Sequence, residues 1–265
     1  MSGQGASEAT VARCLTDRSS VPNRAALLAC AGPSRPGLKD ADLARHAALQ
    51  RVLAPATPTE QELVDAVQAR RAEAMRRIGD NTPATHHAVS VRTKVLIGTG
   101  VTSSFFGTGL QLHPVYGWPY IPGHALKGVV RAWVQECATF LDMTDVAGAA
   151  ALLEHWSELL GVTPDDQDDD EPGEAGTAVF LDAHPHPRPG TGKAFTISID
   201  MINPHLDRFT DPTPVTFVSV NRTTFRLDIL GINAEDTAVV TDAVDTVGVG
   251  AKTGSGYGYL RQEAP

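Results

Sequence analysis

Lys127 and Arg131 stand four residues apart and follow the run Gly117-Trp118-Pro119-Tyr120-Ile121-Pro122-Gly123. Four residues is about one helical turn, so both cations share a face, and a helix starting near His124 adds its partial positive N-terminal charge beside them. A third cation, Lys252, sits inside Gly248-Val249-Gly250-Ala251-Lys252-Thr253-Gly254-Ser255-Gly256-Tyr257-Gly258. Glycine admits positive φ and lets the backbone approach a ligand closely, and successive exposed N–H groups form a concavity that holds anions. The chemistry this suits is phosphate binding. The expected contacts are His124, Lys127 and Arg131 from the first segment and Lys252, Thr253 and Ser255 from the second, with Tyr257 placed to stack on a base. Both segments are expected to meet in space. Ordinary turns are the alternative for either loop alone, and core packing is the alternative for Tyr257.

Known nucleotide signatures do not fit. A P-loop requires glycines where Thr246 and Ala251 stand, and the dinucleotide fingerprint fails because Gly98-Thr99-Gly100 is followed by Ser103 in place of the third glycine. Asp182, His184 and His186 invite a metal reading, yet no further His or Cys stands at ligand spacing and Pro185 and Pro187 indicate a rigid turn. Neither a metal nor a cofactor is expected.

The 265 residues carry a net charge of −9, which on its own disfavours a polyanionic partner. Seven of the acids, however, fall in one patch, Asp165, Asp166, Asp168, Asp169, Asp170, Glu171 and Glu174, which reads as a solvated insertion at about 163–176. A local basic groove remains compatible with the total. Cys14, Cys30 and Cys137 form no CxxC, so a disulfide framework or cysteine zinc site is unsupported and a reducing cytoplasm fits. No leader-like start and no apolar run of bilayer length is present, and no membrane partner is expected.

These loops need elements to hold them. Residues 1–37 are rich in Ala, Ser, Gly and Pro and read as loosely ordered, and 38–88 as a helical extension with helices over 38–54 and from Thr59, capped by Glu62, to Ile78. The arginines of the second helix, Arg70, Arg71, Arg76 and Arg77, read as a solvated basic face, with nucleic-acid contact as the alternative. Period-two alternation at Val89, Val91, Thr93, Val95 and Ile97 predicts a strand, and helices follow over 124–141 and 144–160. Further strands are expected at 178–182, 195–201, 215–220, 223–230 and 257–261, with a capped helix over 234–246. Setting insertions aside, the order is that of an α+β, ferredoxin-like or RRM-like domain over 89–265, with an antiparallel sheet and helices on one face.

The segment from Gly117 to Gly123, with Leu126, Lys127, Gly128 and Arg131, resembles the glycine-rich motif of the RAMP superfamily, the RRM-like proteins of CRISPR systems. Three blocks, Phe180-Leu181-Asp182-Ala183-His184-Pro185, Asp200-Met201-Ile202-Asn203-Pro204-His205 and Pro214-Val215-Thr216-Phe217, together with the closing loop at Gly248–Gly258, are similar to the sixth-subunit family of the type III-B Cmr effector. The likeness spans about 89–262. It departs at His124, where the family has a small hydroxyl residue, and at His184, where it has an aromatic. The resemblance implies a non-catalytic subunit that grips CRISPR guide RNA by its backbone toward the 3′ end, beside the repeated backbone subunit and other Cmr subunits. Target RNA is then met only indirectly, through base pairing. Asn203, His205 and Arg208, in a loop between strand-like segments, are read as contacts to RNA or to a neighbouring subunit, with packing of that loop on its own sheet as the alternative. Other RAMP proteins cut precursor RNA without metal, and His113, Tyr116 and Lys127 are the trio that such an endoribonuclease would use here. A purely architectural subunit without RNA contact is the third reading.

Overall fold

The computed structural model describes residues 23–30, 48–79, 82–99, 110–144, 146–162, 173–187, 194–202 and 215–263. In chain order the elements are α1 (Arg24–Cys30), α2 (Pro58–Gly79), β1 (Ala84–Val91), α3 (Gly123–Met143), α4 (Ala149–Leu160), β2 (Val179–Phe180), β3 (His184–Pro185), β4 (Thr196–Ile202), β5 (Val215–Asn221), β6 (Thr224–Leu230), α5 (Ala234–Thr246) and β7 (Leu260–Gln262). Residues 48–53 are also helical. The main sheet runs β2-β6-β1-β7, antiparallel throughout, and β3 continues β2 along the same side of β6. Apart from β3 and the inserted β4–β5 pair, this is a β-α-β-β-α-β unit whose first and third strands are central, the ferredoxin-like plan expected.

Register decides which side chains face the helices. Opposite residues in an antiparallel pair share a face, so Val89 and Phe225 lie together, and all of Val89, Phe225, Leu227 and Ile229 are buried. They join one core with Leu126, Val130 and Val134 of α3 and Val240 and Val244 of α5. α3 places those apolar residues four apart along one stripe, which is why it packs as it does. α5 starts at a capping box in which Asn233 and Asp236 satisfy each other's backbone N–H.

The opposite sheet face is covered as well. Arg71 of α2 pairs with Asp228 of β6, and Gln68 donates to the carbonyl of Pro185 at 2.6 Å. The reading of Arg71 as a solvated basic residue is therefore corrected: its charge partner lies on a distant strand, whereas Arg76 and Arg77 do stay exposed and pair with Glu73. α2 itself begins at Pro58. Thr57 and Glu60 form the capping box, two residues before the one expected, because Pro58 suits the first helical position.

Two further expectations shift. Within the supposedly loose segment 1–37, residues Arg24–Cys30 form α1, with Leu27 and Leu28 buried in the common core. Arg24 anchors it by donating to Glu60 and to the carbonyls of Val52 and Ala54. The first strand begins at Ala84, and after Val91 the chain leaves β6. Val95 instead bridges Val220 of β5, and Leu96 bridges Gly250. β4 and β5 form their own two-stranded sheet.

Candidate nucleic-acid interface

The first loop is fixed by β2 and the residues after it. Ile121 and Ala183 exchange backbone hydrogen bonds at 3.0 and 2.8 Å, and the Gly123 N–H donates to Asp182 Oδ1 at 2.8 Å. A side chain at Gly123 would collide with the Phe180 carbonyl oxygen, so the glycine is required by the strand beneath it. Asp182 also occupies the first N–H of α3. The helix terminus is thus less available to a phosphate than its sequence position implies.

One turn on, His124, Lys127, Gly128 and Arg131 line a concavity of about 620 Å³ whose other wall includes Val179 and Phe180. Glu174 is the carboxylate in that wall. Burial, and secondarily the neighbouring Arg131, lower the Lys127 ammonium pKa below its ordinary value. His124 is exposed. Arg131 is more committed than expected, because its Nη2 donates to the carbonyls of Leu160 and Gly161 at 3.1 and 2.8 Å. A cation there caps the C-terminus of α4, where the helix dipole favours it. Gly128 differs from Gly123: a Cβ at Gly128 would meet nothing within 4 Å.

The second loop is built on the extension of β1. Ala251 N–H donates to Leu96 O at 2.8 Å, Val249 N–H to Gly258 O at 2.8 Å, and Gly258 N–H to Lys94 O at 2.9 Å. Gly250 has φ +90° and a side chain there would strike the Leu96 carbonyl; Gly258 has φ +87° and is similarly pressed against Val249. Lys252 adopts the left-handed region at φ +63°, turning the chain into the short 3₁₀ segment Thr253–Ser255. Its carbonyl accepts from Ser255 N–H and Tyr257 N–H, and Thr253 O accepts from Gly256 N–H and the Tyr259 hydroxyl. The N–H groups of Ala251, Ser255 and Gly256 are thus satisfied internally, which shortens the row of exposed N–H groups that an anion could meet. Gly254 again has open space around it.

Exposed Lys252 holds its ammonium 5.9 Å from the Phe217 ring centroid. Tyr257 meets the same ring edge-on at 5.7 Å and donates its hydroxyl to Asp200 Oδ2 at 2.9 Å. Lys94 Nζ approaches the same oxygen at 2.8 Å. Burial and the Asp200 carboxylate push the Tyr257 phenol pKa up to about 12. Lys94 was missed by sequence reasoning, and only its place before Val95 hinted at it.

The sheet order sets the two loops at opposite edges, against the expectation that they meet in space. Lys127 lies against β2 at one edge, whereas the Lys252 loop leads into β7 at the other. Four strands at about 4.8 Å spacing put those edges roughly 14 Å apart. Asn203, His205 and Arg208 lie outside the described residues, as does the acidic insertion over 163–172.

Of the alternative trio, His113 and Tyr116 come together. His113 Nδ1 accepts from Val115 N–H and Tyr116 N–H, both at 3.2 Å, and its ring stacks on Tyr116 at 4.5 Å. Burial lowers the His113 imidazole pKa. His184 accepts at Nδ1 from Trp118 Nε1–H at 3.0 Å and is buried, and its pKa is lowered to about 4 by burial first and by Arg71 next. Its ring nitrogen thus serves the loop that carries Trp118.

The family model of the RAMP superfamily matches residues 89–261, more than half of the chain and both glycine loops. The chain belongs to the RAMP superfamily. This RAMP chain is similar to the CRISPR system Cmr subunit Cmr6 of Saccharolobus solfataricus, 24% identical over 64% of the chain and 54% of that relative, so it spans about half of that relative's length. The Pyrococcus furiosus Cmr6 is 26% identical over 66% of the chain and 68% of its own length. Among solved structures, a chain in a cryo-EM structure of the type III-B Cmr-beta bound to cognate target RNA superposes with a TM-score of 0.53, at 18% identity, over 85% of this chain and 75% of that one. That likeness bears on the fold. No described helix is long and apolar enough to cross a membrane.

Proposed function

We propose that this RAMP protein is a non-catalytic subunit of a type III-B CRISPR effector, where it grips the guide RNA backbone toward its 3′ end and contacts neighbouring Cmr subunits. The relatives named Cmr6 support the assembly. The RNA grip is supported by one observation above the others, the open glycine beside Lys127. Glycine within a helix costs about 0.5–1 kcal/mol relative to alanine, and Gly123 offsets that cost with a close approach to the Phe180 carbonyl that only glycine permits. Gly128 has no such internal reason, yet it sits in the wall of the Lys127 concavity. A ligand backbone pressed against the helix supplies the reason.

The grip has two parts, Lys127 with His124 at one sheet edge and Lys252 with Thr253 and Ser255 at the other. Several nucleotides spanning the gap engage both. Base identity is left to pairing, so acidity elsewhere on the chain is tolerable. The test is a salt titration of guide-RNA binding by the assembled effector. Lys127→Ala lowers the slope of log affinity against log salt by about one unit, and Gly128→Ala weakens binding while leaving the chain folded. Unchanged slope and unchanged affinity in both variants would rule the grip out.

A further inference from the structure

Among the described residues two that are not glycine take up the left-handed backbone region, Arg222 at φ +45° and Lys252 at φ +63°. Both are exposed cations. Lysine and arginine make up only 22 of the 265 residues, and asparagine or aspartate is the usual non-glycine occupant of this region, so composition alone does not put a cation at both positions.

Arg222 stands where the chain passes from one sheet to the other. β5 ends at Asn221 in the two-stranded sheet and β6 begins at Thr224 in the main sheet, so residues 222 and 223 make the bend. Buried Thr223 already holds it. Its hydroxyl donates to the Asn221 carbonyl at 2.8 Å and accepts from the Thr196 N–H at 3.1 Å, and its carbonyl accepts from the Val91 N–H at 2.9 Å. The Arg222 guanidinium has no hydrogen-bond or ion-pair partner among the described residues. Glycine would make the same bend without the clash that a Cβ brings to positive φ. An arginine kept at a strained position, with nothing inside the fold to hold, faces something outside it.

Charge makes that partner an anion. Three segments meet at the bend: 81–135 with β1 and its extension, 212–227 with β5 and the start of β6, and 246–262 with the Lys252 loop and β7. None of them contains an Asp or Glu, although the chain has 31. Asp200 and Asp245, which reach the β1 extension from β4 and α5, are already paired with Lys94 and Arg92. The planar fork of a guanidinium fits two phosphate oxygens at once. The Lys252 ammonium lies over Phe217, five residues before Arg222 along β5, so at about 3.3 Å per residue the two cations stand roughly 17 Å apart. A single-stranded backbone of a few nucleotides spans both. We infer that Arg222 is a phosphate-binding residue for RNA, extending the Lys252 grip along β5 to the bend between the sheets. The inference rests on the reading that this chain grips guide RNA.

The test follows guide-RNA affinity of the assembled effector against salt, with Lys127→Ala and Lys252→Ala as references. Arg222→Gly lowers affinity about ten-fold and the salt slope by about one unit. It leaves the melting midpoint of the full chain close to wild type, since relief of the strain offsets the added freedom of the unfolded chain. Arg222→Lys recovers the slope and part of the affinity. Unchanged affinity and slope in Arg222→Gly, beside lowered slopes in the two references, overturns the assignment and leaves the grip standing. Unchanged slopes in all three overturn the grip and Arg222 with it. An unchanged slope with reduced incorporation of Arg222→Gly into the effector shows that the guanidinium meets a carboxylate of another subunit, which also overturns the assignment. So does a clearly lowered melting midpoint, which makes Arg222 part of the fold.

Discussion

Arg71 of α2 donates from Nε to the carboxylate of Asp228 in β6, and that carboxylate is fully buried. Arg226 binds its other oxygen at 2.8 Å, and Arg71 Nη1 reaches on to the carbonyl of Asp182. The pair holds α2 against the sheet face opposite α3 and α5. Removing one partner of a buried pair leaves an uncompensated charge. Asp228→Ala, which strands two guanidinium groups, is expected to cost about 3–5 kcal/mol. Arg71→Ala, which leaves Arg226 in place, costs about 1.5–3 kcal/mol. Urea unfolding midpoints measure both, and a midpoint unmoved by Arg71→Ala would show that α2 is not docked by this contact.

The glycines of the second loop divide into two kinds with opposite responses. Gly250→Ala places a side chain at φ +90° against the Leu96 carbonyl and is expected to destabilise by about 2 kcal/mol or more. Gly254→Ala meets open space at an ordinary φ and stays within about 0.5 kcal/mol of wild type. Thermal melts separate the two. A melting loss at Gly254 equal to that at Gly250 would remove the distinction between packed and open glycines.

His184 ties stability to pH. Its folded pKa is depressed from 6.5 to about 4, so the native state prefers the neutral ring that accepts from Trp118. The contribution is therefore complete above pH 6.5 and is lost as pH falls from 6.5 toward 4, because the unfolded chain binds the proton first. Its size is on the order of 3 kcal/mol. His87, His113 and His186 are lowered by burial in the same direction and deepen the loss. Glu60 and Asp200, lowered by their cationic partners against the opposing effect of burial, act only below the ordinary carboxylate range. Unfolding midpoints from pH 8 to 4 should fall in that window, with a flatter profile in His184→Phe; an identical profile would exclude His184 as the source.

Much of the fold was legible because local signals agreed with the final packing. The apolar stripe of α3, the cap of α5 and the strand-like runs of β5 and β6 each placed an element within a residue or two. What escaped was non-local. Nothing near Arg71 announces Asp228, and nothing in the alternation from Val89 to Ile97 tells that the chain changes partner from β6 to β5 between Val91 and Val95. For the site, glycine and lysine spacing located both loops. The hydrogen bonds that occupy Arg131, Asp182 and most of the loop N–H groups depend on segments distant in sequence.

Tyr257 separates packing from recognition most cleanly. Its hydroxyl is held by Asp200 and its ring edge by Phe217, so the side chain is oriented before any base arrives. Tyr257→Phe removes only the O–H, leaves Asp200 paired with Lys94, and costs about 1 kcal/mol of stability. If the ring stacks on a base, RNA affinity in that variant stays close to wild type, whereas Tyr257→Ala loses roughly 1–3 kcal/mol of binding. Because the phenol pKa is pushed up to about 12, binding through this ring does not change between pH 7 and 10. Guide-RNA affinities of both variants in the assembled effector decide the matter. Equal affinity in the alanine and phenylalanine variants would leave Tyr257 as the strut of the loop that presents Lys252.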